Sequence, residues 1–164
     1  MVPSKPEKYR FILEQARHLW DPQIGLEGNL CNVLALVQKE MQFWWIGFYK
    51  VALSVEKESE LHLHVFTGPV ACTRIAKGKG VCGTVWEKQE PIIVPNVHAF
   101  PGHIACSSES QSELVIPVSL PGSQPVFWGV LDVDSTHLNH FDSDDLAGLT
   151  SLVDFISLQI PNHV

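Results

Sequence analysis

The sequence has 164 residues, with 11 Lys plus Arg against 18 Asp plus Glu, so its formal net charge is −7. This length fits one domain around one core, and the acidic balance disfavours nucleic-acid binding. No run approaches the roughly 18 apolar residues that a membrane span needs, and the N-terminus lacks the apolar centre of a secretory signal. We therefore expect a single domain over residues 1–164, with its core at about 24–160, in a cytosolic protein that binds neither nucleic acid nor membrane.

The N-terminal part of the chain has the apolar periodicity of two helices. Apolar side chains recur at helical spacing over residues 6–20, and a second helix is expected after the break at Asp21 and Pro22. The apolar stripe of this second helix consists of Leu26, Leu30, Val33, Leu34 and Val37. Cys31 lies beside that stripe, where a free cysteine usually behaves as a small buried hydrophobe.

The middle of the chain is rich in aromatic and β-branched residues. Strands are predicted over residues 44–53, 61–66, 91–94, 114–120 and 126–134, with a polar turn at 54–60 and a short helix at 81–88. The PGSQ segment indicates a hairpin between the last two strands. A final helix is expected to have Ser143 as its N-cap and to stop at Pro161. These elements predict an α+β domain with one antiparallel sheet flanked by terminal helices.

Three of the four cysteines, Cys72, Cys82 and Cys106, lie within 35 residues among small or loop-forming neighbours. They fall near two long connections, expected at 68–80 and 96–112, and long connections in a compact domain are usually functional. Thiols on exposed segments can reach a ligand or another thiol. Because structural disulfides are rare in the cytosol, the cluster indicates catalysis, transient disulfides or metal binding.

Two alternatives for this cluster are disfavoured by spacing. The candidate metal ligands are Cys72, Cys82, His98, His103 and Cys106. The gaps between the cysteines are ten and twenty-four residues, whereas a structural zinc site has a pair two to four apart, so we expect neither metal nor cofactor. For a Cys–His hydrolase, the closeness of His103 to Cys106 is no evidence, because nucleophile and base usually come from separate elements, although this histidine can lower the thiol pKa.

Three further histidines near these segments, His98, His137 and His140, are expected only in turns and loops.

Three carboxylates flank the predicted hairpin. Glu113 begins one β-rich run and Asp132 and Asp134 end the next, so the three side chains can converge. A period of two places both aspartates on one strand face with Val130 and Trp128, which indicates a pocket-lining face. Carboxylates in a partly apolar pocket repel each other and lose solvation, which raises a pKa and supplies a proton donor near neutral pH. The alternative is that the aspartates only accept backbone hydrogen bonds from the following turn.

Several motifs in this region resemble one known family. The block from GPVACTRIAKGKGVCG through VPNVHAFPGHIACSSESQSELVIP, followed by WGVLDVDS and FDSDDLAGL, is similar to the free methionine-R-sulfoxide reductases, which are built on the GAF domain. The resemblance extends from WWIGFYK to the C-terminal helix. Many GAF domains share the GVLDVDS hairpin, whereas the cysteines in GPVAC, GVCG and PGHIAC are particular to this branch. Residue 44 is Trp where the family generally has a polar residue.

The resemblance implies a role for each clustered thiol. Cys106 in PGHIAC would attack the substrate and Cys72 in GPVAC would resolve the product, while Cys82 in GVCG would be an auxiliary or alternative resolving thiol.

The resemblance also implies a substrate pocket. Glu113, Asp132 and Asp134 would surround the substrate, and Trp45 and Tyr49 would form an aromatic wall around its methyl-sulfoxide end. The alternative for these two aromatics is a purely structural place in the core, where aromatic residues are common.

The activity implied is the reduction of free methionine-R-sulfoxide to methionine through a cysteine sulfenic acid and an intramolecular disulfide, with thioredoxin as reductant and no cofactor. A homodimer paired through the terminal helices is a further implication. One alternative is a ligand-sensing GAF module, which would have to act through association because the sequence contains no output region. Another is a redox sensor, which peroxide would oxidise faster than methionine sulfoxide does.

Overall fold

The computed structural model describes residues 2–53, 59–103 and 106–161. The helices are α1 (Lys5–Leu19), α2 (Leu26–Met41), α3 (Gly80–Lys88) and α4 (Ser143–Ser157), with a short 3-10 helix at Val97–Ala99. The strands are β1 (Trp45–Leu53), β2 (Ser59–Thr67), β3 (Arg74–Ala76), β4 (Ile92–Val94), β5 (Ser112–Leu120) and β6 (Val126–Ser135). All strand pairs are antiparallel, in the order β3-β2-β1-β6-β5-β4, and the predicted α+β class is confirmed.

The sheet separates two apolar clusters because successive strand residues face opposite sides. On one face, Ile46 and Phe48 of β1 pack with the buried residues of α1, α2 and α4. On the other face, Trp45 and Tyr49 pack with α3, β3 and β4. The first cluster is a closed core, whereas the second also borders the pocket described below.

Helices α1 and α4 are joined by a buried polar contact. The Tyr9 hydroxyl donates a hydrogen bond of 2.7 Å to Asp145, whose second oxygen lies 2.5 Å from Lys5 Nζ. The Tyr9 ring lies so close to Gly148 that a Cβ on the glycine would be 2.1 Å from it. The absence of a side chain at Gly148 therefore allows the two helices to pack closely.

The boundaries of α4 differ from the prediction. Asp142, not Ser143, is the N-cap, because its carboxylate accepts hydrogen bonds from the backbone N–H groups of Asp144 and Asp145. The helix ends at Ser157, so Pro161 is not its immediate stop.

Two short elements were not predicted, and one predicted turn lies mostly outside the described residues. Strand β3 and the 3-10 helix have three residues each, too few for a periodic pattern. The turn predicted at 54–60 is described only at Ser59 and Glu60, which belong to β2.

The predicted placement of Trp128 on the carboxylate face is wrong. Val118 pairs with Gly129 and Ser119 with Phe127, so Trp128 is the extra residue of a β-bulge. Its ring packs edge-on against Phe48 in the helix-side core, 6.1 Å between centroids. Counting every second residue back from Asp132 therefore places Val130 correctly on the carboxylate face. The same count gives the wrong face for Trp128, because the bulge interrupts the strand there.

The predicted burial of Cys31 is also wrong, because its side chain is exposed. A helix advances about 100° per residue, so Cys31 lies roughly a quarter turn from the centre of the stripe formed by Leu30, Val33, Leu34 and Val37.

None of the helices in the described ranges is long and apolar enough to cross a membrane.

Candidate functional site

A pocket opens on the sheet face opposite α1, α2 and α4, beneath α3 and the connections that precede β3 and β5. Its walls combine aromatic, acidic, thiol and glycine-loop groups. The lining residues are Trp44, Trp45, Tyr49, Val70, Ala71, Ile75, Lys79, Gly80, Val81, Cys82, His103, Cys106, Ser107, Ser110, Glu113, Asp132 and Asp134. All the residues predicted for the site except Cys72 line this pocket. Cys72 is joined by a disulfide to Cys106, which is one of the lining residues.

The aromatic wall consists of Trp45 and Tyr49, whose rings stack with centroids 6.0 Å apart. The Trp45 indole N–H donates to the Pro69 carbonyl, and the Tyr49 hydroxyl donates to the Cys72 carbonyl, both at 3.0 Å. Gly47 lies between the two aromatics, where a Cβ would be 2.6 Å from the Trp45 ring. The wall therefore both borders the pocket and positions the segment that contains Cys72.

The acidic floor is built by the β5–β6 hairpin. Glu113 is the cross-strand partner of Asp134, and Val115 is the partner of Asp132, so the three carboxyls occupy neighbouring positions on one face. Glu113 and Asp132 are each only 6% exposed. Burial, and then repulsion from Asp132 and Asp134, raises the pKa of Glu113 well above its ordinary value. Burial, and then repulsion from Asp134, raises the pKa of Asp132 well above its ordinary value.

Asp134 differs from its two neighbours because it has a hydroxyl donor. Burial raises the pKa of Asp134, whereas the hydrogen bond that the Ser110 hydroxyl donates to Asp134 lowers it. The resulting pKa is about 6. At neutral pH the floor thus combines one mostly ionised carboxyl with two that favour the protonated form.

The alternative in which the aspartates only accept backbone hydrogen bonds from the turn after β6 is not what the structure shows. In that turn, the His137 backbone N–H donates to Ser135 Oγ. Asp134 accepts from Ser110, which precedes β5, and Asp132 Oδ1 is buried with no hydrogen-bond partner among the described residues.

Two of the clustered thiols form a disulfide. Cys72 and Cys106 are bonded, with their Cα atoms 5.1 Å apart across a sequence separation of 34 residues. Each cysteine is half-buried, so the bond lies at the rim of the pocket. It connects the segment before β3 to the segment before β5.

The small neighbours of Cys82 suggested an exposed connection, but the structure places this residue elsewhere. It is in the first turn of α3, 3% exposed, with Sγ 4.0 Å from Glu113 Oε1. Burial, then the nearby Asp132 and Glu113, raises the pKa of the Cys82 thiol well above its usual range. The apolar residues Val81 and Val85, also buried in α3, were the available signal for this burial.

Two of the histidines singled out above have defined surroundings. His103 lines the pocket, its ring nitrogens are buried with no partner among the described residues, and burial and then His98 lower its pKa, so the ring favours the neutral form. His140 lies in the loop between β6 and α4, as expected. It is half-buried there, 2.5 Å from Ser135 Oγ, with its ring stacked on Phe141 at 5.1 Å.

Sequence reasoning missed Ser110, Trp44 and Lys79 as parts of the pocket. All three lie in motifs quoted above, but strand periodicity gave them no place in the pocket because each stands outside the regular strands. Ser110 has the clearest effect of the three, since its hydroxyl contacts Asp134.

Comparison with known proteins gives the family. A model of the GAF domain matches residues 26–160. The free methionine-R-sulfoxide reductase of Saccharomyces cerevisiae is 36% identical over 94% of this chain and 86% of its own length. The chain belongs to the free methionine-R-sulfoxide reductase family of GAF domains. The resemblance stated from the cysteine motifs is thereby confirmed.

Two further proteins are similar to this chain over more than nine-tenths of its length. The structure of free methionine-R-sulfoxide reductase from Neisseria meningitidis, in complex with its substrate, is 38% identical with a TM-score of 0.86, covering 97% of this chain and 92% of that one. GAF domain-containing protein A of Dictyostelium discoideum is 47% identical over 92% of this chain and 90% of its own length.

Proposed function

We propose that the protein reduces free L-methionine-(R)-S-oxide to L-methionine, with Cys106 as the nucleophile and Cys72 as the resolving thiol. The observation that carries this proposal is the position of the Cys72–Cys106 disulfide at the rim of a pocket floored by carboxyls with raised pKa values. A disulfide switch alone needs no proton donor, whereas removal of the sulfoxide oxygen does. The relatives named above, one of them solved with its substrate, support the same assignment.

Each part of the pocket matches one part of a free amino-acid sulfoxide. Asp134, with a pKa of about 6, supplies negative charge for the substrate ammonium group. Trp45 and Tyr49 offer an aromatic wall to the methyl group on a positively polarised sulfur. Backbone N–H groups of the glycine-rich segment around Gly80 can receive the substrate carboxylate.

The first chemical step transfers oxygen from the substrate to the enzyme. The thiolate of Cys106 attacks the sulfoxide sulfur while a protonated carboxyl of the Glu113–Asp132 pair donates to the sulfoxide oxygen. The S–O bond of the substrate and the new sulfur–sulfur bond then break as the protonated oxygen passes to Cys106 Sγ. Methionine leaves with its sulfur reduced by two electrons, and Cys106 becomes a sulfenic acid.

Two further steps regenerate the enzyme. The Cys72 thiol attacks the Cys106 sulfenic acid, so that the disulfide forms and water leaves. A dithiol protein, thioredoxin, then reduces the disulfide by exchange and becomes oxidised itself, returning both thiols. We place this cycle in the cytosol, where such reductants keep thiols reduced. Cys82 is an auxiliary thiol in this scheme, since it is buried against Glu113.

The assay that tests the proposal measures methionine formed from free methionine-R-sulfoxide with dithiothreitol, alongside the S epimer and a peptide-bound sulfoxide. Cys106→Ser is expected to abolish turnover, whereas Cys31→Ser, at an exposed position on α2, serves as the matched control with full turnover. Wild-type turnover by the Cys106 variant would show that the nucleophile is wrong.

The resolving role is tested separately by single turnover. Cys72→Ser is expected to release one equivalent of methionine and to retain a sulfenic acid on Cys106 that a dimedone-type reagent traps. Peptide mapping of the wild-type protein after substrate oxidation should find Cys72 linked to Cys106. A Cys82–Cys106 linkage in its place would transfer the resolving role to Cys82.

A further inference from the structure

Cys82, one of the two cysteines outside the disulfide, contributes to a compact set of potential metal ligands. Cys82 Sγ and oxygens of Glu113 and Asp132 all lie within 4.8 Å of one another, and all three residues are buried. The thiol comes from the first turn of α3, and the two carboxyls come from β5 and β6. One helix and two paired strands therefore hold the set together.

No cationic side chain pairs with the carboxyls of this set in the part of the chain that the structure describes. Within the described ranges, no Lys, Arg or His nitrogen lies within 4.0 Å of an oxygen of Glu113 or Asp132. Asp132 Oδ1 is buried and accepts no hydrogen bond from any described residue, although the residue is only 6% exposed and lines the pocket. A buried polar oxygen without a donor is costly, so this atom indicates a ligand that supplies positive charge.

We propose that Cys82, Glu113 and Asp132 form a binding site for a thiophilic divalent cation, zinc. A set of one thiolate and two carboxylates suits zinc, whereas magnesium and calcium prefer oxygen ligands alone. Zinc bonds of about 2.3 Å to sulfur and about 2.1 Å to oxygen place tetrahedral ligands roughly 3.5 Å apart. The present Sγ–Oε1 distance of 4.0 Å therefore needs only a small closure by side-chain rotation.

Three protein ligands leave the fourth position of a tetrahedral zinc site open, and groups in the pocket can fill it. Asp134 is the cross-strand neighbour of Glu113, and its carboxyl, or a water molecule in the pocket, would occupy the fourth position. A site of three protein ligands with one open position suits reversible binding rather than a closed structural centre.

The proposed ligands do not include the disulfide cysteines. Cys72 and Cys106 are not ligands, so the cation is expected to bind the disulfide form, in which Cys31 and Cys82 are the free cysteines. Since Glu113 and Asp132 also serve the proposed reduction, zinc would compete with methionine sulfoxide. This consequence, unlike the binding itself, rests on the proposed function.

The test uses the full-length disulfide form and Co²⁺ as the spectroscopic probe, since a cobalt–thiolate bond gives a charge-transfer band in the near ultraviolet. The expected result is one equivalent bound, with the band displaced by Zn²⁺, retained in Cys31→Ser and lost in Cys82→Ser. Asp132→Asn, which keeps the thiol and the side-chain shape, is expected to weaken binding by at least about 10-fold through loss of one ligand. Circular dichroism and thermal melting verify that both variants at the site are folded.

Two results would overturn the site: no cobalt–thiolate band in the wild-type protein, or a band that disappears in Cys31→Ser and persists in Cys82→Ser. A separate arm measures reduction of free methionine-R-sulfoxide with and without Zn²⁺. Cobalt binding that depends on Cys82, combined with undiminished turnover in saturating Zn²⁺, would contradict the substrate placement under the proposed function and leave the metal site intact. Cobalt binding that depends on Cys82, combined with competitive inhibition of the wild-type protein by Zn²⁺, would support both.

Discussion

Gly83 is the residue at which a single methyl group should disturb both stability and the site. It lies in the first turn of α3, directly after Cys82, and a Cβ added to it would be 2.4 Å from the backbone oxygen of Ala76. The Gly83 carbonyl also accepts a hydrogen bond of 2.8 Å from Gly78 N–H. Because the atom in contact belongs to the backbone, it cannot rotate away, so Gly83→Ala must move α3 away from β3.

The size of that movement follows from the contact distance. Ordinary van der Waals contacts begin near 3.4 Å, so a Cβ at 2.4 Å requires α3 to shift by about 1 Å. Overpacking of this kind costs about 1–3 kcal/mol, while replacing a helical glycine by alanine contributes about 1 kcal/mol in the opposite direction. We expect a net loss of about 1 kcal/mol in the free energy of unfolding, or a melting temperature lower by about 2–4 °C for a domain of this size. A 1 Å displacement of the α3 wall is expected to lower kcat/KM by roughly 100-fold.

The matched control is Gly28→Ala, which also lies in the first turn of a helix. There the nearest atom to the added Cβ is Ile24 Cδ1 at 3.2 Å, the end of an exposed and flexible side chain. We expect this variant to gain about 0.5–1 kcal/mol through helix propensity and to keep full turnover.

Thermal melting and steady-state reduction of free methionine-R-sulfoxide with dithiothreitol compare the two variants directly. The reasoning is refuted if Gly83→Ala melts at or above the wild-type temperature and also retains wild-type kcat/KM, since α3 would then not depend on this close approach.

Three further changes test other parts of the fold. Gly148→Ala places a Cβ 2.1 Å from the Tyr9 ring and should cost about 1–3 kcal/mol in urea unfolding; an unchanged midpoint would contradict the described packing of α1 on α4. Asp142→Ala removes the N-cap of α4 and should cost about 1 kcal/mol at unchanged m-value, whereas an equal loss from Asp142→Asn would point to charge rather than capping. In the disulfide form, a thiol reagent should modify Cys31 rapidly and Cys82 only on unfolding, and equal rates would show that Cys82 is accessible.

The long periodic elements could be predicted from sequence because each satisfies its pattern locally. The stripes of the terminal helices are of this kind, and so is the alternation of β6 from Val130 to Asp134. The PGSQ turn predicts that Glu113 lies near the aspartates at the far end of the hairpin, so the convergence of the three carboxyls could be anticipated. The exact pairing of Glu113 with Asp134 depends in addition on the β-bulge at Trp128, which shifts the register by one residue.

Features that depend on one irregular position or on distant packing could not be anticipated. A β-bulge gives no periodic signal, and it turned Trp128 to the opposite face from Val130. Cys82 has the small neighbours of a loop, but its burial depends on the packing of α3 against the floor of the pocket. Ser110 is close to Asp134 only because the segment before β5 folds back across the sheet.

The location of the two kinds of groups in this site has an evolutionary consequence. The carboxyls and the aromatic wall belong to the hydrogen-bonded sheet, whereas Cys72 and Cys106 lie on the segments that cross over it. Substituting those two cysteines would leave the sheet, with its carboxyls and aromatic wall, in place, and restoring them would require no rearrangement of the core. Within one scaffold, recognition and redox turnover can therefore be inherited, lost or exchanged independently of each other.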